Sequence, residues 1–137
     1  MQNSVNSTFD VPVLIAGGGP VGLWLAQVLS SYGQRCQLIE ERPETTQFPK
    51  MDVTNGRTME LFRLLRLAEP VRALGCPDEN NHDVVFMTAF TGYEVARIPY
   101  APPTEQRRKF REINDGAQPL EPNLRISQVI LEPFLKS

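Results

Sequence analysis

Residues 11–15, Val-Pro-Val-Leu-Ile, form a short apolar run rich in β-branched side chains, the pattern of a buried parallel strand. Three consecutive glycines follow at 17–19, and then Pro-Val-Gly-Leu-Trp-Leu-Ala-Gln-Val-Leu-Ser-Ser-Tyr-Gly over 20–33. Pro20 suits the first turn of a helix and Gly33 the residue past its end. Cys-Gln-Leu-Ile-Glu at 36–40 reads as a second strand. Together these segments predict a βαβ unit of about 30 residues.

Farther on, 41–56 is a loop rich in Pro, Thr, Asn and Gly. A helix is predicted from Thr58 to Ala68, with Leu61, Leu64, Leu65 and Ala68 on its apolar side and Thr54 or Asn55 as its cap. Pro70 permits a further short helical turn through Leu74, closed by Gly75 and Pro77. Residues 83–90 and 93–98 flank Thr91-Gly92, which predicts a β-hairpin with a two-residue turn. The proline-rich stretch 99–123 holds one predicted helix at 104–114. Near the end, Ile126, Val129, Ile130 and Phe134 recur at helical spacing. Pro133 conflicts with that helix, because it strips a hydrogen bond from Val129.

Composition narrows the function classes. With 137 residues, 41% of them hydrophobic, the chain is long enough for one domain with a core. A net charge of −2 argues against a nucleic-acid partner. The basic run Arg-Arg-Lys-Phe-Arg at 107–111, followed by Glu112 and Asp115, is expected to be a solvated helix face. Cys36 and Cys76 form no CxxC pair, so each is expected as a small buried apolar residue in a reducing, cytoplasmic setting. His82 is the one histidine, which leaves little material for a metal site or a Ser/His triad. Beside Asn80, Asn81 and Asp83 it is expected in a surface loop. The first ten residues lack the basic and apolar regions of a signal peptide. Glycines, Pro20 and Gln27 interrupt 13–30 too often for a membrane span.

The glycines carry the chemistry. Gly17, Gly19 and Gly22 form G-x-G-x-x-G between a strand and a helix. The first glycine permits the tight turn, the second lets a pyrophosphate approach bare backbone N–H groups, and the third lets helix and strand pack closely. The N–H groups of the helix start, at the positive end of its dipole, then hold phosphate oxygens. Glu40 ends the second strand 18 residues past Gly22, where a carboxylate accepts both ribose hydroxyls of an adenosine. That acid disfavours a 2′-phosphate in this site, leaving NAD and FAD as candidates. Glu41 and Arg42 compete with Glu40 for the ribose. Arg42 otherwise lies over the adenine or near a phosphate, or is a plain surface arginine.

These residues, with Pro-Lys-Met-Asp-Val-Thr-Asn-Gly-Arg-Thr-Met-Glu-Leu-Phe from 49 and Leu-Arg-Ile-Ser-Gln-Val-Ile-Leu-Glu from 124, resemble the N-terminal part of the FAD-dependent aromatic hydroxylases. These are the single-component flavoprotein monooxygenases, and the wording is similar to the fungal phenol 2-monooxygenase-like branch. The resemblance implies an α/β fold: an incomplete Rossmann-like FAD-binding βαβ domain with the first hairpin of a substrate-domain sheet. It implies FAD as cofactor, NADPH as reductant and oxygen transfer to an aromatic or similar small molecule. Carried onto this chain, Gly17, Gly19, Pro20 and Gly22 would cradle the pyrophosphate and Glu40 the ribose. Arg42, Lys50, Arg125 and Gln128 would be further cofactor-binding residues. The expected units are 11–80 for the FAD-binding βαβ and following helix, 81–101 for the hairpin, and 102–137 for a proline-rich loop and cofactor-contacting helix.

The family's two later cofactor motifs are missing. No Gly-Asp dipeptide occurs, and the one Asp-Gly, at 115–116, is turn chemistry in another context. The chain is therefore expected to be a truncated product or one part of a split enzyme whose C-terminal half is separately encoded. An ADP- or FAD-binding module without catalysis is the alternative, and an NAD-dependent dehydrogenase domain a third reading that the later blocks oppose. No residue stands out as a general base.

Overall fold

Two strands and the helix between them set the frame. In the computed structural model, β1 (Val13–Ala16) and β2 (Cys36–Ile39) lie parallel, with Val13 opposite Cys36 and Ala16 opposite Ile39. Helix α1 (Pro20–Ser31) joins them, with Pro20 in its first turn. The structure describes residues 10–113 and 115–137. The expectation for residues 1–9, and residue 114 at the end of a predicted helix, lie outside them.

The rest of the chain adds β3 (Val53–Thr54), α2 (Gly56–Leu64), α3 (Ala68–Leu74), β4 (Val84–Met87), β5 (Glu94–Ile98), α4 (Pro103–Ile113), β6 (Leu124–Arg125) and α5 (Gln128–Lys136). The Asn55 carboxamide caps α2 by accepting the Thr58 N–H at 2.8 Å. β3 pairs antiparallel with β6, Val53 opposite Arg125, a two-residue ladder that no local pattern announced. This pairing brings the far end of the chain back to its first half. Leu124, Ile126, Leu131 and Leu135 then fill one core with Leu23 of α1, Met59 and Phe62 of α2, and Val71 of α3. Trp24 meets Phe62 edge-on with ring centroids 5.0 Å apart.

Several expectations change in detail. The helix predicted over 58–68 ends at Leu64, because Arg66 turns left-handed at φ 61° and restarts the chain as α3. Its buried face is consequently Met59 and Phe62, while Leu64 is 76% exposed. The hairpin closes around four residues rather than two: the Thr88 N–H donates to the Tyr93 carbonyl and the Gly92 N–H to that of Ala89. Helix α5 runs through Pro133, with Ser127 capping its start. Both cysteines are free and half-buried.

His82 is buried, at 5% exposure, against the expected surface loop. Its backbone N–H bonds to the Tyr100 carbonyl at 3.2 Å, which draws the residue under the start of the hairpin. Neighbouring polar residues in sequence gave no hint of this long-range bond. Burial, reinforced by the Arg125 charge, pushes the imidazole pKa below its ordinary value.

An ion network ties the later elements down. The buried Arg72 guanidinium donates to Glu121 Oε2 at 3.1 Å, to Asp78 Oδ1 at 3.3 Å and to the Pro122 carbonyl at 2.6 Å. Arg107 of α4 donates to the same Glu121 oxygen at 3.2 Å. Glu121 thus holds α3, α4 and the approach to β6 at one point.

Two predictions follow from these buried groups. Glu121→Ala removes the carboxylate shared by Arg72 and Arg107, leaves Arg72 with Asp78 alone as its ionic partner, and should lower stability by about 1–3 kcal/mol, measured by urea unfolding. For His82, the folded-state pKa lies below the unfolded one, so its contribution is complete above the ordinary value of 6.5 and declines as pH falls beneath it. As the one histidine, it should make the melting temperature fall between pH 7 and 5, a slope that His82→Gln flattens.

Candidate functional site

The glycine turn is built for close approach. Gly17 leaves β1 at φ +108°, a conformation that a side chain rarely tolerates, and its N–H donates to the Ile39 carbonyl at 2.8 Å. A Cβ on Gly22 would stand 2.0 Å from the Gly17 carbonyl oxygen, so α1 lies against the turn at a distance only glycine allows. Gly19 differs. A Cβ there would meet nothing nearer than Glu132 Oε1 at 4.0 Å. The fold itself therefore makes no steric demand for glycine at 19, and the space beside it is open. Gly19 is also the N-cap residue of α1, and no side chain caps that helix start.

Glu40, just past β2, faces this turn. Its Oε2 accepts the Gly18 N–H at 2.6 Å and its Oε1 the Arg42 N–H at 3.1 Å. The Gly18 bond, and then the Arg42 bond, hold the carboxyl below the usual carboxylate range. A carboxylate offers about four lone-pair positions, so two remain after these bonds.

Opposite Glu40, α5 holds the loop that follows β2. Gln128 Oε1 accepts the Lys50 N–H at 3.0 Å, while its amide nitrogen donates to Glu132 Oε1 at 2.6 Å. Glu132 Oε2 accepts the Thr46 N–H at 2.8 Å. One turn of helix thereby fixes both ends of residues 46–50 and sets the orientation of the Gln128 amide.

A cleft of about 420 Å³ lies between these parts. It is lined by Gly19, Glu40, Arg42, Lys50 and Gln128 among the residues singled out from sequence, and by Gly18, Thr46 and Glu132, which were not. Gly17, Pro20 and Gly22 shape the turn and helix start behind it. Arg125 stands apart: it pairs with Asp52 and lines a second, smaller cavity with His82 and Asn123. No local pattern marks Glu132, because its partner Thr46 is 86 residues away. Its spacing of four from Gln128 was the one available signal.

Known proteins place the chain. Residues 10–136 match the model of the FAD binding domain family, and the chain belongs to that family. It is 42% identical over 125 residues to the FAD-dependent monooxygenase apdD of Emericella nidulans, covering 90% of this chain and 20% of that protein. It is 32% identical over 126 residues to a phenol 2-monooxygenase of a Pseudomonas species, covering 92% of this chain and 20% of that one. Among solved structures, the flavin-dependent monooxygenase PieE in complex with FAD and substrate superposes with a TM-score of 0.76 at 37% identity, over 92% of this chain and 21% of that one. The chain thus spans about a fifth of the length of the relatives it matches. No helix among the described residues is long and apolar enough to cross a membrane.

The two glycine contacts separate folding from binding. Gly22→Ala forces α1 away from the turn and should cost at least about 1–3 kcal/mol in urea unfolding. Gly19→Ala should unfold at an unchanged urea concentration.

Proposed function

We propose that this chain is the FAD-binding portion of an NADPH- and FAD-dependent monooxygenase acting on an aromatic or similar small molecule. The observation that carries the reading is the open cleft at Gly19, where bare backbone and an uncapped helix start face the Glu40 carboxylate. The residues fit the adenosine diphosphate half of FAD. Backbone N–H groups at the start of α1 would hold the pyrophosphate. The two free lone-pair positions of Glu40 would accept the ribose hydroxyls, and Gly18 keeps that carboxylate aimed and ionised. Lys50 and Arg42 add positive charge along the cleft, and Gln128 presents an amide fixed by Glu132.

Bound FAD would supply the redox and oxygen chemistry, while these residues bind and orient it. Lys50, held through its backbone to Gln128, fixes where the loop meets the cofactor. Arg125, tied to Asp52, lies outside the cleft lining. The units 11–80, 81–101 and 102–137 are retained in this reading, with the first and third sharing a core. The exposed apolar face of the hairpin, with Phe86 at 52% and Ile98 at 47%, fits a surface that later strands of such an enzyme cover. Those strands would come from a continuation of the chain or from a separately encoded half. A cytoplasmic setting accords with the two free cysteines.

Titrating FAD into the protein, followed by quenching of flavin fluorescence, tests the reading. Glu40→Gln should weaken binding about ten- to a hundredfold, the value of hydrogen bonds to a charged group. Gly19→Ala should weaken it while leaving the fold intact. Bleaching of the bound flavin by NADPH supports the enzyme. Binding without reduction supports an inactive FAD-binding module, and no FAD binding at all overturns both.

A further inference from the structure

A second concave surface lies away from the cofactor cleft, at the far end of α2. Arg63 and Arg66 from that end and Arg107 and Arg111 of α4 line a groove of about 660 Å³, with Phe110 and Leu120 as apolar lining. The arginines at 107 and 111 belong to the basic run that reads in sequence as a solvated face. Its other members do behave so: Arg108 pairs with Glu112 and Lys109 with Glu105 along the exposed side of the helix. Arg107 and Arg111, one helical turn apart, also line the groove.

The charges in the groove do not balance. Two carboxylates line it, Glu69 and Glu121, against four guanidinium groups. Glu121 is already shared among Arg63, Arg72 and Arg107, and Glu69 bonds to Arg107 at 2.9 Å. Arg66 and Arg111 make no ion pair among the described residues.

Arg66 also occupies a costly backbone position. Helices α1 and α2 end in the same motif. In α1 the Gly33 N–H bonds to the Ser30 carbonyl and the Gln34 N–H to that of Leu29. In α2 the Arg66 N–H bonds to the Arg63 carbonyl and the Leu67 N–H to that of Phe62. The left-handed residue of the first motif is Gly33, at φ +70°; that of the second is Arg66, at φ 61°. Glycine is at ease there and arginine is not. The motif needs no side chain, so arginine at this spot carries a backbone cost that glycine would avoid.

We propose that this groove binds a phosphomonoester, held by Arg66 and Arg111 with its organic part against Phe110 and Leu120. A phosphomonoester carries close to two negative charges near neutral pH and three acceptor oxygens, which suits two unneutralised guanidinium forks. The pyrophosphate of FAD lacks such a group, so this site is independent of the cofactor cleft. The 2′-phosphate of a dinucleotide and a free phosphorylated metabolite share the chemistry.

The test is a titration of the 137-residue chain with inorganic phosphate, 2′,5′-ADP and adenosine, followed by amide NMR shifts. Both phosphates should shift amides at 63–68 and 107–111, and adenosine should not. Tighter binding of 2′,5′-ADP than of inorganic phosphate supports an ester whose organic part meets Phe110 and Leu120, and equal binding of the two overturns that contact. Arg66→Gly and Arg111→Gln should each weaken binding at least about fivefold, whereas Lys109→Gln, outside the groove on the same helix, leaves it unchanged. Arg66→Gly should also raise the melting temperature by roughly 2–5 °C, which excludes misfolding as the cause of lost binding. Affinity should fall from pH 7 to 5 as the phosphate loses its second charge. Absence of shifts at roughly 10 mM ligand, or undiminished binding by Arg66→Gly, overturns the proposal.

Discussion

The close contact between Gly22 and the Gly17 carbonyl is the constraint on which the rest depends. It lets α1 rise directly from the end of β1 with its first turn open. Because β2 runs parallel to β1, its end arrives at that same turn. Glu40 is thereby delivered to the Gly18 N–H, and the bond between them makes the turn and the carboxylate one unit. A helix standing off by even one methyl group would separate the helix start from the acid.

The cleft needs a second wall, and that wall comes from the other end of the chain. Without the β3–β6 ladder, α5 would have no fixed register beside α1. With it, Gln128 and Glu132 reach across and hold the main chain of residues 46–50. A loop rich in proline and threonine has little order of its own. Its position here follows from two side chains one helical turn apart.

Charge plays two separate parts. Arg72 is buried, fully engaged and structural, and Glu121 serves it as a hub. Arg66 and Arg111 are exposed and make no ion pair among the described residues, and one of them sits on backbone that arginine does not favour. That contrast separates guanidinium groups that hold the fold from those free to hold something else.

The local chemistry of the βαβ unit was legible from residues alone. A β-branched run, a glycine at each required step, a proline at the helix start and an acid at the second strand's end all act within a few residues of one another. So the turn, α1, the Glu40 position and the α/β class followed from the sequence. Tertiary structure decided what depends on distant partners. His82 is buried because Tyr100 accepts its N–H, and Glu132 joins the cleft because Thr46 lies opposite. Arg125 faces Asp52 because of a two-residue ladder too short to have a pattern. The break at Arg66 shows the same limit from the other side. Helical periodicity ran on through it, and only the packing of α3 on the core required the chain to turn there.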